Sequence, residues 1–419
     1  MPVNDTAVAL RAEIAAHFQP DPPVALGIAV SGGGDSVALL VLLADWAADG
    51  GPALRAVTVD HRLRPESAGE AAAVAETCAR LGIPHDTLPW VEGWDGTGNL
   101  QEAAREARYR LMADWARGRG LADVALAHTA DDQAETLLMR LAREAGLDGL
   151  SAMGDRVEHG VTFRRPALRI TRAALRRVLT DRGIAWTEDP SNADPTFERV
   201  RARQVLDQLA PLGISATGLS AVAHHLAGAR DALYACLREA AHDIVTFQSG
   251  DMLVARDGLA RLHDELARRL LQAGLRWVAG PGHGARGVAL GRLLDAARTG
   301  QGMTLQGALV TPERDRLRIA REHAAVAETS AAPGALWDGR WRVTGPDSTG
   351  VEIRALGPTG LQECPGWRET GLPAASLTAS PAVWRGRRLV AAPLAGCPNG
   401  WEAALERPPD TLFSKLLSH

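Results

Sequence analysis

Lysine is almost missing from this chain of 419 residues: its basic side chains are arginines except for Lys415. A Walker-type phosphate loop needs GxxxxGK[ST], so that way of holding a nucleotide is excluded. Cysteine is scarce as well. Cys78, Cys236, Cys364 and Cys397 stand far apart, with no CxxC pair. That spacing excludes a metal knuckle, argues against a disulfide framework and fits a reducing, cytoplasmic compartment. There is no excess of either charge sign. The net charge of −4 and pI near 6.3 exclude a global basic field that would announce a nucleic-acid partner. No uninterrupted apolar run approaches the roughly 18 residues that span a bilayer. The first stretch, "MPVNDTAVALRAEIAAHF", carries charges within its apolar part and reads as a short helix rather than a signal peptide.

What is present is regular. "VALGIAV" (24–30), "LRAVTVD" (54–60), "HDTLPW" (85–90) and "ADVALAH" (122–128) read as strands. Between and after them lie helical patterns at 35–48, 66–82, 98–120 and 131–146. Strands alternating with helices of this length predict an α/β domain with a parallel sheet covered on both faces. Ligands in such sheets sit beyond the carboxyl ends of the strands. Ser31, Asp60 and His128 each stand at such an end. After Leu209 the texture changes. One long helical pattern runs over 217–245, "DMLVARDGLARL" reads as a short hairpin, and two more helices and a set of paired strands follow. The tail from Leu336 holds 5 of the 11 tryptophans amid many Gly and Pro and reads as β-rich, its tryptophans mostly core. The expected domains are 1–210, a mainly helical 211–330, and a small β-rich 331–419, with "TSAAPGA" (329–335) as a linker.

"SGGGDS" (31–36) follows the first strand directly and opens a helix. A strand, a glycine turn and a helix N-terminus aim several backbone N–H groups into one concavity, where they bind phosphate oxygens. The hydroxyls of Ser31 and Ser36 add donors. An ionised Asp35 belongs in such a place when a divalent cation joins it to the phosphates. In "AHTADDQAET" (127–136), Asp131 and Asp132 suit a helix cap. Asp131 and Glu135 share a helix face, where like charges cost a few tenths of a kcal/mol unless a cation lies between them. "VDHRLR" (59–64) places His61, Arg62 and Arg64 after a strand. "NLQEAAREARYR" (99–110) can present Arg105 to an anion. Seven arginines against the single acid Asp181 occupy 164–182, and Arg199, Arg201 and Arg203 follow. This local basic patch can track a phosphate backbone.

In this order and spacing, "SGGGDS", "VDHRLR", "NLQEAAREARYR", "AHTADDQAETLLMRLAREAGLDGLSAM", "RRPAL" and "WTEDPSN" resemble the tRNA(Ile)-lysidine synthases, a branch of the N-type ATP pyrophosphatases. The resemblance is strong over 24–209 and weaker beyond. It departs from the family pattern at Thr129, where a second histidine is usual, at Glu144, where a small residue is usual, and at Val200, where an asparagine is usual.

The resemblance implies an adenine nucleotide hydrolase-like fold. It also implies a ligase that adenylates C2–O of the wobble cytidine C34 in CAU-anticodon tRNA(Ile). Pyrophosphate leaves first, and the amine of free L-lysine then displaces AMP. ATP and Mg2+ are the implied cofactors; no membrane and no obligate protein partner are implied. The expected nucleotide contacts are Ser31, Gly32, Gly33, Gly34, Asp35, Ser36, Asp60, His61 and His128, with Asp35 and Asp131 on the metal. Asp35, Arg105, Asp131, Asp132 and Glu135 are the expected catalytic set. Arg165, Arg169, Arg172, Arg176, Arg177, Arg199, Arg201 and Arg203 are expected on the tRNA. The rivals are a tRNA 2-thiocytidine synthase, for which only Cys78 lies in the first domain, and a non-catalytic tRNA-binding protein.

Overall fold

The computed structural model describes residues 5–62, 67–94, 96–188, 194–280, 287–346, 348–408 and 411–412. Arg64 and the 189–192 part of "WTEDPSN" lie outside them. The chain forms two compact units that part at Arg230 and Asp231.

The first unit runs α1 (Asp5–Ala16), β1 (Ala25–Ala29), α2 (Gly34–Ala48), β2 (Ala53–Asp60), α3 (Ser67–Arg80), β3 (His85–Pro89), α4 (Leu100–Gly118), β4 (Asp123–Ala125), α5 (Ala130–Leu141), α6 (Leu147–Leu150), β5 (Arg156–Glu158), β6 (Val161–Arg164), α7 (Arg172–Asp181), α8 (Glu198–Leu209) and α9 (Ala216–Ile244). Helix α9 continues into the second unit. The sheet order is β3-β2-β1-β4-β6-β5, parallel except for the β5–β6 hairpin. Successive residues of each strand feed opposite cores. Leu26, Ile28 and Ala56 join α1, α2, α3 and α7 on one face. Val57, Val124 and Phe163 join α4 on the other. Two buried faces explain why β1 is apolar without alternation and why Ala56, Val57 and Thr58 of β2 are buried in succession. The order reverses between β1 and β4, which opens a crevice beyond their carboxyl ends. Ser31 and His128 follow those two strands.

In the second unit, β7 (Val245–Gln248), β8 (Asp251–Ala255), β9 (Met303–Leu305), β10 (Ala308–Pro312) and β11 (Arg316–Arg321) form an antiparallel sheet ordered β7-β8-β11-β10-β9. Helices α10 (Arg256–Arg261), α11 (Asp264–Ala279) and α12 (Val288–Thr299) accompany it. "DMLVARDGLARL" is therefore not a hairpin but strand β8 followed by helix α10. The hairpin lies one strand earlier. β7 and β8 join through Ser249 and Gly250, both at positive φ (48° and 86°), the two-residue turn that matches strand twist.

Beyond it, β12 (Ser330–Ala331), β13 (Leu336–Trp337), β14 (Trp341–Thr344), β15 (Glu352–Ala355), β16 (Pro381–Arg385), β17 (Arg388–Ala391) and β18 (Glu402–Leu405) make two small sheets, β12-β15-β16-β17 and β13-β14-β18. Trp337, Trp341, Trp384 and Trp401 are buried there, so they serve the core. The expected linker is ordered instead: Ser330 and Ala331 pair with Arg354 and Ile353. All four cysteines are free thiols, and burial pushes the Cys78 thiol up to about 11. No single described helix is long and apolar enough to cross a membrane.

Candidate active site

Three glycines in a row have three different reasons. Gly32 takes φ +88°, which side-chain-bearing residues rarely adopt, and its carbonyl accepts from the Thr187 N–H at 3.0 Å. A Cβ on Gly34 would stand 3.2 Å from Arg176 and Trp186, a tight fit that those side chains would have to ease. Gly33 has ordinary extended angles (φ −69°, ψ 153°), and the nearest neighbour of a Cβ there is Ser31 Oγ at 3.7 Å. The fold does not demand glycine at Gly33; an approaching ligand would. The amides of Gly32, Gly33, Gly34 and Asp35 find no acceptor among the described residues. Ser36 is buried and braces the turn from inside, donating to Gly33 O at 2.8 Å and accepting from the Ser31 N–H at 3.1 Å. Ser31 is exposed, and its hydroxyl touches that of Ser36 at 3.2 Å.

The loop opens onto a cleft of ≈ 1340 Å³ beyond the sheet edge. Gly33, Asp35, Asp60, His61, His128, Asp132 and Glu135 all reach it, although three separate segments supply them. At its centre is Arg172, expected on the tRNA but turned inward at 16% side-chain exposure. Its Nε donates to Asp35 Oδ2 at 3.1 Å, its Nη2 to Asp132 Oδ1 at 3.3 Å, and its Nη1 to Glu135 Oε1 at 3.4 Å. Its backbone N–H donates to Asp131 Oδ2 at 2.7 Å, which puts a carboxylate on the N-terminus of α7. The guanidinium thus meets Glu135, while Asp131 is met by a backbone amide.

The acids differ in what they have left to offer. Thr129 caps α5 reciprocally with Asp132, whose Oδ2 accepts from the Thr129 N–H (2.8 Å) and hydroxyl (2.9 Å). Both Asp132 oxygens are therefore engaged, and Thr129 does capping work where the family pattern has histidine. Burial works to raise the Asp132 pKa, but Arg172 and the Thr129 bonds help hold the carboxyl low. Glu135 is 1% exposed, and its Oε1 also accepts from Arg203 Nε at 3.0 Å. Its Oε2 is buried with no partner among the described residues, and so is Asp35 Oδ1, with Arg176 Nε 3.6 Å away. Burial raises both of these carboxyls despite Arg172 beside them. No group of three or more His, Cys, Asp or Glu side chains stands ready for a metal ion among the described residues. The orphaned Asp35 Oδ1 beside the loop still fits a single carboxylate contact to one.

The opposite side of the cleft is cationic. Arg105, expected to face an anion, is exposed and lies outside the cleft, over the Tyr109 ring at 5.1 Å. Arg108, almost one turn on, lines the cleft in its place. Its buried Nε has no partner, and burial lowers its pKa, with Arg105 and Arg199 adding to that push. The guanidinium packs over the Tyr109 ring at 5.6 Å and hydrogen-bonds Tyr109, but no carboxylate among the described residues pairs with it, so it is a ready anion contact. Signals at helical spacing could name both arginines but not choose between them. His61 lies edge-on to Trp90 at 5.9 Å, and burial, then Arg108, push its pKa down. The Asp60 carboxylate accepts from the Arg62 N–H at 2.9 Å.

The basic patch splits. Arg165 is 5% exposed and cannot face an outer partner. Arg176 and Arg203 are half-buried in the cleft wall, while Arg169, Arg177, Arg199 and Arg201 are exposed. Glu144 ends the segment after α5 at φ +53°, a left-handed position that favours the small residue the family pattern carries there. Val200 is buried in α8 and packs where an asparagine would have been polar.

Residues 6–209 match the family model of the PP-loop domain. The tRNA(Ile)-lysidine synthase of Ruegeria pomeroyi is 52% identical over 405 residues, spanning 96% of this chain and 96% of that protein. That of Rhodopseudomonas palustris is 50% identical over 212 residues, 50% of this chain and 61% of the relative. That of a Bradyrhizobium species is 39% identical over 319 residues, 70% of this chain and 89% of the relative. The glycine loop, the acids after β4 and likeness across nearly the whole length agree, and the chain belongs to the tRNA(Ile)-lysidine synthase family.

Proposed function

We propose that this chain joins free L-lysine to C2 of the wobble cytidine C34 in CAU-anticodon tRNA(Ile), at the cost of ATP, and that the cleft residues divide the work as follows. The free amides of Gly32–Asp35 and the Ser31 hydroxyl hold the phosphates at the N-terminus of α2. Ser36 shapes the turn and makes no ligand contact of its own. Asp35 Oδ1 is the atom that would hold Mg2+, which offsets charge on the departing pyrophosphate. Arg108 meets the anionic phosphoryl group or the activated base from across the cleft. Arg172 holds Asp35, Asp132 and Glu135 at fixed separations, and Asp131 orients Arg172 through its backbone. Glu135 Oε2, buried and unpaired, receives an ammonium or amine of the incoming lysine.

Cytidine O2 attacks the α-phosphorus of ATP and expels pyrophosphate. The lysine amine then attacks C2, the C2–O bond breaks, AMP leaves, and the nitrogen gives up a proton. The base oxygen becomes a leaving group without a covalent enzyme intermediate, which agrees with a cleft lined by no cysteine. Exposed Arg169, Arg177, Arg199 and Arg201 remain the contacts offered to the tRNA backbone.

One observation carries this reading. A loop of unpaired amides and two orphaned carboxylate oxygens share one cleft with an arginine that no described carboxylate pairs. The test uses the full chain with ATP, Mg2+, L-lysine and unmodified CAU-anticodon tRNA(Ile). The expected result is pyrophosphate release together with a mass gain at C34 of one lysine less one water. Pyrophosphate release without that gain would leave the nucleophile wrongly assigned, and neither product would overturn the reading.

Gly33→Ala separates ligand from fold. Nothing among the described residues resists the methyl group, so the melting transition should stay within about 0.5 kcal/mol of the parent. ATP affinity, measured by calorimetric titration, should fall by ~10-fold or more, because backbone approach to the phosphates is blocked. Unchanged ATP affinity would remove Gly33 from the phosphate site.

A further inference from the structure

The unused feature of the cleft is the imidazole of His128 and what stands behind it. His128 follows β4 at the point where the sheet order reverses, and it lines the cleft. Arg165 Nε lies 3.3 Å from His128 Nδ1. A guanidinium has donors only, so Nδ1 must be the acceptor and carry no proton. The ring then bears its single hydrogen on Nε2, for which no described residue provides an acceptor.

Arg165 is not free to do otherwise. It is 5% exposed, its Nη2 donates to Tyr109 OH at 3.2 Å, and its Nη1 donates to Gly154 O. Its backbone N–H is held by Asp155 Oδ1 at 2.9 Å, and Asp155 is in turn fixed by His17 Nε2 at 3.0 Å and Arg164 Nη1 at 3.1 Å. The charged groups around the ring are Asp132 on α5, Arg165, Arg108 on α4 and Arg199 on α8. Burial and the three arginines oppose a charged ring, and Asp132 is the opposing influence.

We propose that Arg165 locks His128 as the neutral Nε2–H tautomer, which makes His128 a hydrogen-bond donor to a phosphoryl oxygen of ATP rather than a proton acceptor. Arg165 is thus a positioning residue, although its place in an arginine-rich stretch marks it for tRNA. A general base at this position would need a free ring nitrogen facing the substrates, and the only unprotonated nitrogen is turned to Arg165. The proton released by lysine must therefore pass to another group or to water.

The proposal rests on the ATP-dependent ligase reading, and its tests separate the two. In the full-length protein with ring-15N-labelled histidine, His128 should show a pyridine-type Nδ1 and a protonated Nε2 between pH 6 and 8. A protonated Nδ1 or a charged ring in that window would overturn the proposal whatever the enzyme makes. Glutamine offers an N–H near the Nε2 position and cannot act as a base. H128Q should keep pyrophosphate release within about ten-fold of the parent, whereas H128A should lose ~10²-fold. Equal, deep losses in both would show that the Nε2 donor is not what His128 supplies and would overturn the proposal.

The positioning role is read by a double-mutant cycle. Arg165→Met should cost ten-fold or more with His128 present but under three-fold in the H128Q background, where there is no tautomer to set. Equal losses in both backgrounds would reduce Arg165 to a structural residue. Binding of a non-hydrolysable ATP analogue without tRNA follows the same ranking and does not depend on lysidine being the product.

Discussion

Arg172→Met should destabilise the protein by about 2–4 kcal/mol at pH 7 and abolish ligation. The guanidinium bridges Asp35, Asp132 and Glu135, and its removal leaves three carboxylates crowded in a partly dry cleft. Breaking a buried ion pair by deleting one partner costs ~3–5 kcal/mol, and the partial exposure of this cluster lowers that figure. The loss should depend on pH with a definite sign. Without Arg172 the Asp35 and Glu135 carboxyls, already raised in the folded state, rise further, and Asp132 loses one of the charges that hold it low. The native state then binds protons that the unfolded chain does not, so stability falls as pH rises through that window. The deficit should be largest at neutral pH and shrink as pH drops toward 5. Urea melts at several pH values read it directly. A deficit that is constant with pH would show that Arg172 acts by packing rather than by charge. Arg172→Lys should recover only part of the loss, since one ammonium cannot reach three acids from a fixed fork.

Asp35→Asn should separate activity from stability in the opposite way. Burial already raises the Asp35 carboxyl, which is the mark of a charge held at some cost to the fold. Neutralising it removes repulsion toward Asp132 while Arg172 keeps two of its three carboxylate partners. The melting temperature should therefore hold or rise slightly. Pyrophosphate release should fall by ~10³-fold or more, because the unpaired Asp35 oxygen can no longer support charge on the departing phosphates. An active Asp35→Asn enzyme would move that role to another acid, with Glu135 Oε2 the remaining unpaired oxygen.

Much of this protein is legible in its residues alone. The alternation of apolar strands with helices set the α/β class, because a strand buried on both faces has to be apolar without a break. The glycine run after β1 marked the phosphate loop, since positive φ and close backbone approach are local demands that few residues meet. The family likeness followed from motifs that are each a short stretch of neighbours. The β7–β8 turn is local too, yet "ARDGLAR" offers turn residues one strand further on, and helix α10 absorbs them.

What the residue string does not hold is which charges end up together. Arg172 is separated by 137 positions from Asp35, and nothing local distinguishes it from the exposed Arg169 or Arg177. Its inward turn is set by the docking of α7 against α2 and by Asp131 at its helix start. The choice of Arg108 over Arg105, the saturation of Asp132 by its own cap and the orphaned oxygens of Asp35 and Glu135 arise in the same way. The tautomer of His128, held by an arginine 37 residues away, completes the set. Secondary structure depends on neighbours in the chain and is largely written there. Electrostatic partnership depends on distance in space, and only the order of strands in the sheet decides it.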